Sequence, residues 1–314
     1  MSQITQILDF TLQNATPVIL AALGGLLTDQ AGILNIGMEG MMLMGCFFGV
    51  AFSFLFASSG IGVLAAVLIG ILMGLFFALF VVKLKSDEFI IGMTLNTFAS
   101  GLTAFLLRSV FHQTGTWTSA DIVALPKIHI PGLEDIPVLG GVLSGQSVFV
   151  YVSWLLVFLV WMFLYRTPYG FWMRAAGEHP EALETAGVSP VKMKVWAAVI
   201  CGILCGIAGA HLSMGNVHMF AEDMTANRGF IAFACVVFGM SNPPKVFLAA
   251  LLFGFLQAIG LNLQAFIPPD VTAAIPYFVT ILMLVYITVS ASARKKKRAK
   301  ESLEAQKAAR NIAS

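Results

Sequence analysis

Hydrophobic runs organise this 314-residue chain more clearly than any motif does. Between Gly40 and Val82 lie 43 residues without a charge. A helix needs about 20 apolar residues to cross a hydrocarbon core of about 30 Å, so this run holds two spans. The turn between them falls at Ser58-Ser59-Gly60. Further uncharged runs cover Phe89–Leu107, Ser147–Tyr165, Val195–Val217, Val246–Ile267 and Val271–Ala293, which brings the full spans to seven. Two shorter runs, Phe10–Leu27 and Gly229–Met240, raise the expected total to 8–10 membrane segments. The second of these has twelve residues, about 18 Å of helix at 1.5 Å per residue, too short to cross alone. No run shows the alternation of outer-membrane barrel strands. The pattern predicts an all-α polytopic membrane bundle over residues 1–293, with short or broken helices in it, and a separate tail at 294–314.

Composition agrees: 58% of residues are hydrophobic and 11% charged, against about 45–50% and about 25% in soluble domains. A soluble enzyme is excluded. The net charge of +2 hides an uneven split, +6 from Arg294 onward and −4 before it. Lys and Arg mark the cytoplasmic side of membrane proteins. Lys83, Lys85, Arg166, Arg174, Lys192, Lys194, Lys245 and the tail Arg294-Lys295-Lys296-Lys297-Arg298 all fall on one side if the helices alternate. That side is the cytoplasm, so the C-terminus is inside and Ser109–Gln146 forms an outer loop. Met1–Asn14 contains no Lys or Arg, which leaves the N-terminal side open, and without a basic n-region no cleavable signal is expected. The basic tail reads as a topology anchor that attracts anionic lipid. It lacks the interleaved aromatic residues of a nucleic-acid binder.

Catalytic chemistry is hard to place. Cys46, Cys201, Cys205 and Cys235 lie in apolar runs as small hydrophobes, and no His or Cys pair completes a metal site around Cys201 and Cys205. There is no Gly-Lys dipeptide, hence no phosphate-binding P-loop. No catalytic residue, metal site or cofactor is expected in this chain. Polar groups inside membrane segments are the better lead, because each is costly in lipid and faces a pathway or a neighbouring helix. Three clusters qualify: Thr28 to Gly40, with Asp29, Asn35 and Glu39 among three glycines; Thr94, Asn96, Thr97 and Ser100; and Glu222 to Gly229, with Thr225 and Arg228. Interrupted or short helices in corresponding halves point to a transporter's binding site. Read that way, Asn35, Glu39, Thr94, Asn96, Thr225 and Arg228 line a polar path, and Glu39 and Arg228 are candidates to pair across it. The alternative makes the first and third clusters ordinary loops.

The inner loop Arg166–Lys194 contains Pro180, then Glu181 and Glu184, then Gly187 and Pro190. Proline and acids at the start and glycine at the close predict a short helix of about seven residues. It is either a docking element or a connector. Glu181-Ala182, followed by Ala186-Gly187, resembles the "EAA" coupling loop of ABC importer permeases. Leu27 to Met42, with Asn35-Ile36-Gly37-Met38-Glu39-Gly40, and Met224 to Ala234, followed by Val237-Phe238-Gly239 and Asn242-Pro243, resemble two signatures of the branched-chain amino acid/simple-sugar permease superfamily. The wording is nearest to its nucleoside-type members, which work with a basic-membrane-protein-type lipoprotein. Leu183 and Glu184 depart mildly from the family's frequent Ala, and nothing carries over onto Ser109–Gln146.

The resemblance implies a transmembrane subunit importing nucleosides or similar ribosides by alternating access. It implies coupling through Glu181, Ala182, Ala186 and Gly187 to an ATPase with two nucleotide-binding domains, which binds and hydrolyses the ATP. A second, non-identical permease and an extracytoplasmic substrate-binding lipoprotein complete the implied assembly. Simple sugars or branched-chain amino acids are the alternative cargo, and an ATP-independent carrier or channel is the alternative class.

Overall fold

The computed structural model describes residues 3–128, 142, 144–264 and 278–279. Among these, seven helices are long and apolar enough to cross a membrane. They are α1 (Gln3–Gln30), α2 (Met38–Phe56), α3 (Ser59–Ala78, continued by a π-helical turn to Lys83), α4 (Glu88–Phe111), α5 (Val148–Arg166), α8 (Pro190–Ala210, continued by a π-helical stretch to Val217) and α10 (Pro243–Leu263). Shorter helices are α6 (Pro168–Glu178) and α7 (Pro180–Thr185), at the end that the Lys and Arg distribution assigns to the inner side, and α9 (Arg228–Phe238). The expected span at Val271–Ala293 and the tail at 294–314 lie outside the described residues.

The run Phe10–Leu27, one of the expected membrane segments, is longer than its uncharged stretch: it belongs to a helix of 28 residues. Its polar residues are absorbed by the helix itself. Thr11, Asn14 and Thr16 donate to the carbonyls four residues back, at Ile7, Phe10 and Leu12. Pro17 has no N–H to give the Gln13 carbonyl, and Asn216 Nδ2 from the end of α8 donates to it instead, at 3.1 Å. Asp9 accepts from Gln13 and Gln146. α1 is consequently the central post of the bundle, packed against α8, α9 and α10. Of its membrane-spanning stretch 78% is buried, against 22% for α5. α3, α4 and α5 turn Leu64, Leu68, Phe98, Phe105, Leu155 and Phe158 outward, as a surface facing lipid does.

Small residues set the closest approach. Where α3 crosses α8, a Cβ on Gly70 would stand 2.2 Å from the Gly202 carbonyl oxygen, and one on Gly202 would stand 2.1 Å from that of Gly70. Close backbone packing replaces the hydrophobic effect as the force between membrane helices. Gly70→Val or Gly202→Leu is therefore expected to cost at least the about 1–3 kcal/mol of ordinary overpacking, because backbone cannot step aside. A lower melting temperature of the detergent-solubilised protein checks this; an unchanged one contradicts the seam.

Outside the helices, Thr116–Thr118 (β1) pairs with Met219–Ala221 (β4), and Lys127–Ile128 (β2) with Gln146–Ser147 (β3). Trp117 of β1 stacks on Phe111 at 4.0 Å and fixes this small outer cap. At the inner end the sequence reading expected one short helix, and the structure has two. Thr167 is extended ahead of Pro168, as residues before proline tend to be, and its side chain caps α6 by accepting from Gly170 N. A Thr-Pro start signal was thus present in the sequence. Arg166 and Arg174 lie over Trp161 and Tyr165 at 6.0 and 5.0 Å, in an aromatic belt suited to the membrane interface.

Candidate functional site

The two polar clusters form non-helical breaks between elements, the first between α1 and α2 and the second between β4 and α9, and they meet. After α1 ends at Gln30, Gly32 turns the chain at φ +71°. Residues 31–37 then run non-helically through the protein, with Ala31, Ile33, Asn35 and Ile36 buried. Non-helical backbone at such depth is tolerated only under a cover of protein or cavity water. Asn35 supplies part of that cover: its Oδ1 accepts from Gly37 N at 3.0 Å and its Nδ2 lies 3.3 Å from the Cys201 sulfur on α8. Asn96, midway along α4, completes the start of α2. Its Oδ1 accepts from Gly40 N at 2.8 Å, one of the amides that a helix N-terminus leaves unsatisfied, and its Nδ2 donates to Ile36 O at 3.1 Å.

The second break descends from the outer cap. Asp223, Ala226 and Asn227 all take positive φ, a conformation that is costly outside glycine and clusters at functional sites. The turn delivers the N-terminus of α9 onto Glu39. One Glu39 carboxylate oxygen accepts from Asn227 N at 2.8 Å and the other from Gly229 N at 2.5 Å. A Cβ on Gly229 would stand 2.4 Å from Glu39 N, so the approach requires glycine. The carboxylate also complements the positive end of the α9 dipole. Arg228, between those two amides, sends its own nitrogens to the carbonyls of Met224 and Thr225 and to Asn14 Oδ1 on α1.

A cavity of about 640 Å³ opens where the two breaks meet α4, within the about 300–1,000 Å³ common for small-molecule sites. Glu39, Asn96, Thr97, Ser100, Asp223, Thr225 and Asn227 give it polar groups; Leu43, Met93 and Phe230 give it apolar surface. Of the residues singled out in the sequence, Glu39, Asn96 and Thr225 line this cavity together. Asn35 and Arg228 stand behind its walls, holding the breaks in shape. Thr94 points away, with its hydroxyl given to Ile90 O. Thr97 and Ser100 were visible as polar positions three residues apart on α4. Asn227 and Phe230 carried no separate signal. At the rim of the second break Arg108 and Glu222 pair at 3.5 Å.

Removing the Asn96 side chain is expected to leave Gly40 N and Ile36 O without partners. Each unsatisfied buried group costs about 1–3 kcal/mol. Asn96→Ala should lower the melting temperature, whereas Asn96→Asp, which keeps the acceptor for Gly40 N, should lower it less.

At the inner end, Leu183 is buried and ties α7 to the body. Glu181, Ala182, Ala186 and Gly187 are left together on its exposed surface. A further cavity of about 640 Å³, lined in part by Gly32, Glu88, Pro180 and Lys194, separates α7 from the start of α4. No cluster of three or more metal-ligating side chains occurs among the described residues.

Residues 7–284 match the family described as branched-chain amino acid transport system / permease component. The chain belongs to that permease family. Among curated relatives it is 35% identical over 288 residues to the guanosine ABC transporter permease protein NupQ of Bacillus subtilis, covering 87% of this chain and 89% of the relative. It is 32% identical over 294 residues to the nucleoside ABC transporter permease protein NupC of Lactococcus lactis, with 90% and 92% covered. It is also 32% identical over 314 residues to the putative glucose ABC transporter permease protein TsgC13 of Haloferax volcanii, with 92% and 93% covered. No solved structure matches the chain significantly. With its spanning helices, this permease is a multi-pass protein of the cell membrane.

Proposed function

We propose that this permease subunit imports nucleosides, powered by ATP hydrolysis in a partner subunit. The observation that carries this reading is the composition of the cavity. Asn96, Ser100 and Thr225 can both donate to and accept from a neutral hydroxylated ligand, Thr97, whose hydroxyl donates to Met93 O, can accept, and Phe230, Leu43 and Met93 offer a face to a flat base. The guanosine and nucleoside permeases among the relatives support the same cargo. Alternating access follows if tilting of the bundle opens the breaks at Glu39 and Asn227 to one side at a time. Glu181, Ala182, Ala186 and Gly187 form the face on which an ATPase with two nucleotide-binding domains seats. A second permease completes the membrane unit, and an extracytoplasmic lipoprotein delivers cargo to the outer cap. The glucose permease relative favours simple sugars as the second reading.

Uptake of labelled guanosine by cells with and without the chain tests the cargo. Excess uridine or adenosine should suppress the chain-dependent uptake, while glucose and leucine should not. Suppression by glucose alone would transfer the reading to sugars.

A further inference from the structure

The two helix breaks and the inner surface are joined in a closed ring of bonds. Starting inside, Gly177 at the end of α6 touches the α1–α2 connection backbone to backbone. A Cβ on Gly177 would stand 2.4 Å from Gln30 O, and one on Gly32 would stand 2.8 Å from Gly177 Cα. From the same turn of α1, the Asp29 carboxylate accepts the hydroxyl of Ser241 and Gln30 Nε2 donates to Ser241 O at 3.0 Å. Ser241 closes the C-terminus of α9, its amide donating to Val236 O at 3.1 Å. The helix runs 11 residues, about 16 Å, to Gly229, where Glu39 holds its N-terminus. The backbone from Glu39 to Asp29 completes the ring.

We infer that Asp29 and Ser241 are positioning residues for transport: they lock α9 to the α1–α2 connection, so that a push on Gly177 from the inner helix pair moves the cavity wall at Asn227–Gly229. The role in coupling rests on the reading of this chain as an ATP-driven permease; the mechanical link does not. A helix packed on its buried face and pinned at both ends moves as a unit, which gives the link a physical basis rather than mere proximity. Ile231, Ala232, Cys235 and Val236 supply that buried face. Gly32 and Gly177 have no side chains between them, so a displacement of one backbone bears directly on the other.

Amide hydrogen exchange of the full-length protein in detergent tests the link without any partner. Ser241→Ala and Asp29→Ala should speed exchange at Asn227 and Gly229 roughly tenfold, the fold-change of about 1.4 kcal/mol. Asp29→Asn, whose amide oxygen still accepts the Ser241 hydroxyl, should stay near the parent. Unchanged exchange at these two amides in both alanine variants overturns the link. The second measurement is ATP hydrolysed per nucleoside moved in proteoliposomes holding the whole transporter. The alanine variants should raise that ratio about tenfold, and Asp29→Asn should restore it. A parallel fall of hydrolysis and uptake, or an unchanged ratio, assigns these residues to stability alone and overturns their role in coupling. A parent complex that moves nucleoside without ATP would sink the proposed function, and the exchange result would still decide the link.

Discussion

Uptake by the Glu39→Ala variant is expected to fall at least about 100-fold, the rate equivalent of about 2.7 kcal/mol. The carboxylate makes two hydrogen bonds to the amides of Asn227 and Gly229, and bonds to a charged group contribute about 1.5–3 kcal/mol each. Without it both amides at the start of α9 lose their partner, the helix dipole loses its counter-charge, and the breaks separate. Glu39→Gln keeps one acceptor oxygen for one of the two amides and should lose about tenfold. The check is the initial rate of labelled nucleoside uptake in membrane vesicles, normalised to the amount of permease. Parental uptake in Glu39→Ala would mean that the meeting of the two breaks is not part of the path.

Recovery of the ATPase with the permease should drop about tenfold or more in Glu181→Ala and in Gly187→Val, for different reasons. Glu181 is exposed on α7, so its loss should leave the melting temperature of the permease alone and remove only a contact for the partner. Gly187 closes α7 at φ +81°, with its amide given to Glu184 O and that of Val188 to Leu183 O. A β-branched residue in this left-handed conformation costs about 1–2 kcal/mol or more, which should displace the end of the helix and with it Ala186. Affinity purification of the assembled transporter, followed by quantification of the ATPase, distinguishes the outcomes. Full recovery with both variants would make α7 a plain connector.

Much of this was legible in the chain. Long uncharged runs marked the spans, and acids set among glycines at 28–40 and the polar cluster Glu222 to Gly229 marked both breaks. The run Phe10–Leu27 counts among the 8–10 expected segments, but its ends are drawn short because hydropathy scores Asp9, Thr11, Asn14 and Thr16 as polar without seeing where their bonds go. Within α1 those groups bond to their own helix or to Gln146, and the segment spans. Which glycines of α3 and α8 face each other is decided by the crossing of two helices more than 100 residues apart in the chain, which no local pattern expresses. The cavity was legible in kind and less so in detail. Asn35 and Arg228 share the composition of pathway residues, yet they brace the walls, and Thr94 differs from Thr97 only in which side of α4 it occupies. Glu39 and Arg228 looked like partners by charge. The hydrogen bonds of Glu39 go to the backbone on either side of Arg228, an arrangement no residue count can express.

As the membrane path of an ATP-driven nucleoside importer, this chain should support uphill transport in a defined system. The permease is reconstituted in proteoliposomes with its ATPase, second permease and lipoprotein, and labelled guanosine is followed with ATP on the cytoplasmic face. Guanosine should accumulate above the external concentration only with ATP, should stop accumulating with a non-hydrolysable analogue, and should fail to accumulate with Glu39→Ala. Equilibration of guanosine at the same rate without ATP would contradict ATP-driven import, and would make the chain a passive carrier or channel.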